Sequence, residues 1–204
     1  MDSKVYFITG IGTDVGKTVV SAIVSEALQA TYWKPIQSGS VEGTDRKTVE
    51  ALCSDAVKTL PEEYIYEAPV SPHLAAEMEN SEIDVSRLLL PDVKGNLVVE
   101  GAGGLLVPIT RGFLFADWIK TLKIPVIVVS RHYLGSINHT LLTVAQLKQL
   151  EVPVAGIIFV GVENTDTESI IEQHAQVPVL GRIPVVDELT PDFIATEAKK
   201  LNLS

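Results

Sequence analysis

Cysteine is almost missing from this chain: Cys53 is the one thiol in 204 residues, which excludes an intrachain disulfide and suits a reducing compartment. Its setting in VEALCSDAV points to packing, not nucleophilic chemistry. Basic charge is also scarce. Lys and Arg number 16 against 26 Asp and Glu, a formal net charge of -10, so neither nucleic acid nor an anionic membrane surface is expected as a partner. No apolar run reaches the roughly 18–20 residues of a membrane span. The opening MDSKVYFITG lacks a charged region followed by a long apolar stretch, and a cytoplasmic protein is expected. Internal repeats, low-complexity linkers and sustained heptads are absent too. With 46 % hydrophobic residues, the 204 residues are read as one compact domain, 1–204.

What is present is an alternation of short β-rich apolar runs with longer helix-period segments. That alternation predicts an α/β fold: right-handed βαβ units forming a mostly parallel sheet with helices on both faces. Strands are expected at Val5 to Thr9, Tyr32 to Pro35, Leu97 to Glu100, Pro125 to Ser130, Val154 to Val160 and Val179 to Leu180. Helices are expected at Lys17 to Gln29, Asp45 to Lys58, Val85 to Leu90, Phe115 to Leu122, Ser136 to Leu150, Asp166 to His174 and Pro191 to Leu201. The proline-bearing stretch Pro61 to Asn80 reads as an irregular elaboration over the sheet edge. Ligands of such sheets collect outside the carboxyl ends of the strands, so the strand exits are where chemistry is sought.

The first exit carries it most clearly. In VYFITGIGTDVGKT, a strand runs into a glycine-bearing loop closing on Gly16-Lys17-Thr18, and the apolar-periodic VVSAIVSEAL follows. Loop N–H groups and the helix start would face an anion, Lys17 would reach outer phosphates, and the Thr18 hydroxyl would ligate Mg²⁺. The strict G-x-x-x-x-G-K-[ST] spacing is not met, because Ile11 stands where the first Gly should be and the nearest glycines are Gly10 and Gly12.

Further exits add polar groups. Lys34 in YWKPIQSGS precedes Pro35, in extended chain; it reads either as a phosphate-facing cation or as a solvated lysine. Ser38 could donate to an anionic substrate or belong to a turn. Glu100 ends the apolar run NLVVEGAGG, where a carboxylate is costly unless it is paired or holds metal. Glycines of Gly101-Ala102-Gly103-Gly104 allow close backbone approach. Asp45 reads as a metal ligand or as a helix N-cap. Gly135, Ser136, Ile137 and Asn138 open an amphipathic helix, whose N–H groups suit a carboxylate or ordinary capping.

Taken together, these segments resemble the dethiobiotin synthase family over nearly the whole length, on a P-loop NTPase architecture. That family's loop, G-T-x-T-x-V-G-K-T, has the longer spacing of Gly10-Ile11-Gly12-Thr13-Asp14-Val15-Gly16-Lys17-Thr18. Its K-P-x-x-S-G-S is similar to Lys34 to Ser40, its V-E-G-A-G-G to Val99 through Gly104, and its F-A-D-W to Phe115 through Trp118. S-P-H recurs at Ser71 to His73 and L-G-x-I-N-H at Leu134 to His139. The resemblance implies an ATP- and Mg²⁺-dependent ligase of biotin biosynthesis that joins CO₂ to 7,8-diaminononanoate. It implies catalysis by Lys17, Lys34, Thr13 and Ser38, and Mg²⁺ on Thr18, Asp45 and Glu100. Nucleotide contacts would come from Gly12, Thr13, Asp14, Val15, Gly16, Lys17, Thr18, Val19, Glu100 and Gly103. Lys34, Ser38 and the Gly135, Ser136, Ile137, Asn138 group would bind the diamine, the last four from the neighbouring subunit of a homodimer with shared sites. The family's adenine-reading Asn is replaced here by Val160, which leaves Asn164 as a displaced candidate. Two rivals share the fold. A partition or septum-site positioning ATPase would carry an extra loop lysine where Ile11 and Thr13 stand, and an amide-forming synthetase would need a glutaminase domain for which 204 residues leave no room.

Overall fold

The computed structural model describes residues 3–203. In chain order its elements are β1 (Val5–Gly10), α1 (Lys17–Leu28), β2 (Thr31–Trp33), β3 (Ile36–Gln37), α2 (Asp45–Leu52), β4 (Lys58–Leu60), β5 (Tyr64–Ile65), α3 (Pro72–Met78), β6 (Leu97–Gly104), β7 (Pro108–Thr110), β8 (Phe113–Leu114), α4 (Phe115–Leu122), β9 (Val126–Arg131), α5 (Ser136–Gln149), β10 (Val154–Val160), α6 (Thr165–Ala175), β11 (Val179–Ile183) and α7 (Pro191–Ala198). Seven strands form one sheet in the order β11-β10-β9-β1-β6-β2-β4, every pair parallel. The chain first builds outward on one side of β1, returns through β6, then crosses β1 and builds outward on the other side. The exit of β1 therefore lies where the winding reverses, the crevice where open α/β sheets bind ligands.

Side-chain alternation divides the interior into two cores. Phe7, Leu97, Val99, Val126, Val128, Ile157 and Phe159 join one, against α4, α5 and α6. Tyr6, Ile8, Val98, Ile127, Val129 and Ile158 join the other, against α1, α2 and α7. Successive strand residues point to opposite faces, so strands covered on both faces need runs of consecutive apolar residues, as Tyr6-Phe7-Ile8, Leu97-Val98-Val99 and Val126-Ile127-Val128-Val129 supply. Trp118 anchors the first core. It packs edge-on against Phe7, Trp33 and Phe115, and its indole N–H donates to the Leu88 carbonyl at 2.8 Å.

All six strands expected from the sequence belong to this sheet. The seventh, β4, falls where the expected helix Asp45 to Lys58 runs on. That helix stops at Leu52 because Cys53 is already extended, and β4 pairs only with β2 as a half-exposed edge without an apolar run. Val85 to Leu90 is a single 3-10 turn, Val85–Arg87, capped by Asp84. The irregular stretch Pro61 to Asn80 contains β5 and α3, and its Pro69–Pro72 part walls the cleft described below. No helix among the described residues is long and apolar enough to cross a membrane.

Replacing Trp118 by alanine is expected to cost about 3–5 kcal/mol, the range for emptying a buried aromatic site. Urea unfolding checks this, and a loss below ~1 kcal/mol would mean that the aromatic cluster does not anchor the core.

Candidate active site

Five chain segments converge on a cleft of about 680 Å³ at the β1, β2, β6 and β9 exits. The loop between β1 and α1 can form only with glycine at position 16, whose φ of +93° is left-handed and whose added Cβ would lie 3.4 Å from Val160. That geometry starts α1 without a side-chain cap, leaving its first N–H groups turned to the cleft. Asp14 also adopts a left-handed φ of +55°, a costlier choice for a residue with a side chain. Gly103, at φ +64°, lets β6 pass beside Val107 and Thr13.

A buried ionic cluster forms the floor. Lys34, placed just past β2, donates to Glu100 Oε1 at 3.0 Å and also pairs with Asp45. Thr18 Oγ1 donates to Glu100 Oε1 at 3.2 Å, and Tyr32 donates to Glu100 Oε2 at 3.0 Å. Burial alone would lower the Lys34 pKa, but the Glu100 and Asp45 carboxylates outweigh it and raise it. Burial opposes ionisation of Asp45, yet the Lys34 ammonium holds its carboxyl below the ordinary range. Tyr32 is pushed well above its usual value, by burial first and by Glu100 next, so it stays a hydrogen-bond donor. Lys17 differs: burial lowers its pKa more than the distant carboxylates raise it. Among the described residues its Nζ donates to the Gly12 carbonyl alone, at 3.1 Å. A desolvated cation of this kind is relieved by an incoming anion.

The structure brings most of the expected site residues into one place. Thr13, Asp14, Gly16, Lys17, Thr18, Val19, Lys34, Ser38, Asp45, Glu100 and Gly103 all line the cleft. The Ser38 hydroxyl is buried with no hydrogen-bond partner among the described residues, a donor that an anionic oxygen would satisfy. Asp45 is not the N-cap of α2. Thr44 is, accepting from the Lys47 N–H, which frees the Asp45 carboxylate for Lys34. Val15 points its side chain into the second core, so only its backbone faces the loop. Gly12 borders a second, more apolar hollow of about 410 Å³ that shares Thr13 and Val107 with the cleft and runs beside Leu105, Leu106 and Leu142.

Gly135, Ser136, Ile137 and Asn138 do not line the cleft of their own chain. Gly135 takes the left-handed N-cap position of α5 with no side-chain cap. Ser136 is buried, and its N–H, one of those expected to be free for a carboxylate, is taken by the Tyr133 carbonyl at 3.0 Å. Asn164 caps α6 through its side-chain oxygen, 3.0 Å from the Thr167 N–H, and that oxygen is thereby engaged.

Sequence reasoning missed Tyr32, Gln37 and Arg131. Tyr32 stands two residues before Lys34 and so shares its side of the chain, the one signal that could have found it. Gln37 is buried and accepts from the Asp45 N–H at 3.0 Å. Arg131 lines the cleft and donates to the Asp14 carbonyl at 2.9 Å.

One hydroxyl and two carboxylates, those of Thr18, Asp45 and Glu100, suit a hard divalent ion such as Mg²⁺, which takes one or two carboxylates and completes its shell with phosphate oxygens and water. No group of three or more His, Cys, Asp or Glu that could hold a metal occurs among the described residues. The donor set therefore fits an ion that arrives with a phosphate. The paired charges also set an expectation. Asp45 has a folded pKa below its ordinary 3.8, so its contribution to stability is present above pH 3.8 and lost as pH falls through the lowered value. Lys34, raised above 10.5, keeps its contribution below that pH and loses it only as pH rises through the raised value. Asp45→Asn should therefore flatten the acid limb of the stability curve below pH 3.8. Thermal melts of both proteins across pH check this, and identical acid limbs would refute the pairing.

Comparison with known proteins gives one answer about descent. A family model described as an AAA domain matches residues 4–192. The ATP-dependent dethiobiotin synthetase BioD of Agrobacterium fabrum is 47 % identical over 190 residues, 93 % of this chain and 90 % of that protein. The protein of the same name from Christiangramia forsetii is 46 % identical over 201 residues, 97 % of each chain. Among solved structures, a ParA family ATPase from Chlorobium tepidum aligns with a TM-score of 0.56 at 12 % identity, covering 97 % of this chain and 98 % of that one. The cell division ATPase MinD of Pyrococcus furiosus aligns at 0.56 and 15 %, covering 98 % of each. These two likenesses show the fold alone, whereas the first two relatives are 46–47 % identical over more than nine-tenths of the chain and the family model spans residues 4–192, and the chain belongs to the ATP-dependent dethiobiotin synthetase family on a P-loop NTPase fold.

Proposed function

We propose that the cleft joins CO₂ to 7,8-diaminononanoate at the expense of ATP and releases dethiobiotin, ADP and phosphate. As a member of its family the chain is an ATP-dependent cyclo-ligase of biotin biosynthesis. The observation that carries the site assignment is the convergence of Lys17, Thr18, Lys34, Asp45 and Glu100 on one cleft. One substrate amine adds to CO₂ and loses a proton, giving a carbamate. A carbamate oxygen attacks the γ-phosphorus and expels ADP. The second amine then attacks the carbamoyl carbon, expels phosphate and closes the ureido ring. Phosphoryl transfer needs little beyond alignment and charge stabilisation. Lys34 holds the carbamate against the γ-phosphate, Lys17 neutralises the outer phosphates, and Thr13 and Ser38 orient the carbamate through their hydroxyls. Gly12, Asp14, Val15, Gly16, Val19 and Gly103 border the nucleotide through backbone. Mg²⁺ bound by Thr18, Asp45 and Glu100 would supply further charge neutralisation at the phosphates.

The diamine's alkanoate tail is assigned to the helix start at Gly135, Ile137 and Asn138 of a second subunit. Support comes from the uncapped left-handed start of α5 and from the exposed apolar side chains near it, Leu134, Leu142, Leu106 and Tyr133, which favour a homodimer. The cytoplasm, which supplies ATP and bicarbonate, is the proposed compartment. The net charge of -10 gives no reason to invoke nucleic acid or membrane. At the end of β10, Val160 is buried against the loop and offers no side-chain hydrogen bond to a base.

Lys17→Ala and Lys34→Ala are expected to lower turnover by about tenfold or more, read by the mass of the cyclic urea formed from diamine, bicarbonate, Mg²⁺ and ATP; near-normal turnover in a folded variant would remove that lysine from the mechanism. Because an absent hydrogen-bonding group cannot reject the wrong base, ATP, GTP and CTP should support comparable rates. A preference for ATP on the order of a hundredfold would show that another group reads the ring. Leu142 is exposed, so Leu142→Glu should give a folded monomer that binds nucleotide but has a raised KM for diamine. An active monomer with unchanged diamine KM would refute the shared site.

A further inference from the structure

The chain has five arginines, and four of them pair with glutamates: Arg46, Arg87, Arg111 and Arg182. Arg131 has no carboxylate partner among the described residues, in a chain of net charge -10. Instead it stands at the end of β9, lines the phosphate cleft beside Lys17 and Thr18, and gives one N–H to the Asp14 carbonyl at 2.9 Å. That carbonyl belongs to the one non-glycine residue of the loop held in left-handed backbone, at φ +55°.

Two physical demands meet here. A phosphate loop binds anions because its N–H dipoles face inward, and a carbonyl rotated into the cleft would repel the same anion. Asp14 sits in left-handed backbone, uncommon for a residue with a side chain though best tolerated by Asp and Asn, and the Arg131 bond is a contact that can hold it there. A guanidinium carries five donors in a fixed fork, and the bond to Asp14 uses one. We propose that Arg131 is a positioning residue of the nucleotide site: it fastens the Asp14 carbonyl outward, keeps the loop amides turned inward, and brings its unpaired charge to the phosphates. This rests on the reading of the cleft as a nucleoside triphosphate site.

The test is ATP binding by calorimetry without diamine, on the wild type, Arg131→Gln and Arg131→Lys, with melting temperatures of the nucleotide-free proteins. Arg131→Gln should weaken ATP binding about tenfold, in line with losing a hydrogen bond from a charged group. In turnover, the KM for ATP should rise while the KM for diamine stays within about twofold. Arg131→Lys, which keeps the charge without the fork, should recover part of the loss. Unchanged ATP affinity in Arg131→Gln would overturn the proposal while leaving the cleft reading intact, and so would a drop in nucleotide-free melting temperature large enough to account for weaker binding. A wild type that fails to bind ATP would overturn both.

Discussion

The buried ammonium of Lys34 is the constraint around which the site is arranged. A cation taken out of water at the base of a cleft is tolerable only with opposite charge and hydrogen bonds close by. Glu100 and Asp45 supply both, and the demand extends outward. Glu100 must sit midway along β6 in register with Ile8 of β1, Asp45 must open α2 with its side chain free of capping, Tyr32 must hold the Glu100 carboxylate, and Gln37 must hold the Asp45 backbone N–H. Removing one member leaves the others buried without compensation, a change that costs about 3–5 kcal/mol in well-studied ion pairs. The cluster thus ties three segments separated in sequence into one rigid floor.

That floor also explains why the two lysines differ. Lys34 arrives with its charge already matched, whereas Lys17 is desolvated without a carboxylate in contact and has a lowered pKa. The first is a fixed element of the site; the second is completed by the phosphate it binds. Substrate binding then adds charge where the protein left a deficit, and it does so beneath a loop whose glycine at position 16 could not be replaced without strain.

Much of this was legible in the sequence, for reasons tied to particular residues. Strands buried on both faces need runs of consecutive apolar residues, so β1, β6, β9 and β10 announced themselves, and the loop closing on Gly16-Lys17-Thr18 followed the first of them. Glu100 stood out because a carboxylate closing an apolar run needs a partner, although β6 runs on past it to Gly104. The edge strand β4 was hidden because a strand with one neighbour and half-exposed side chains carries no apolar run. Asp45 could not be told from a cap, since Thr44 and Asp45 are both capping residues and only the fold decides which of them faces Lys34. Arg131 and Gln37 were invisible because their roles depend on segments far away in sequence. Ser136, expected at a substrate, is buried in its own chain with its N–H bonded to the Tyr133 carbonyl, a local turn that the spacing of the segment does not reveal.

The mechanism's central claim is that the carbamate becomes a leaving group by taking the γ-phosphoryl group on its own oxygen. Turnover with ¹⁸O-labelled bicarbonate, followed by mass analysis of the released phosphate before exchange with water, tests it directly. Attack by the carbamate oxygen predicts that one labelled oxygen appears in the phosphate for each ring closed. Phosphate free of label, with ¹⁸O found only in the ureido carbonyl, would mean that ATP is cleaved by water and that the two lysines do not bring carbamate and phosphate together.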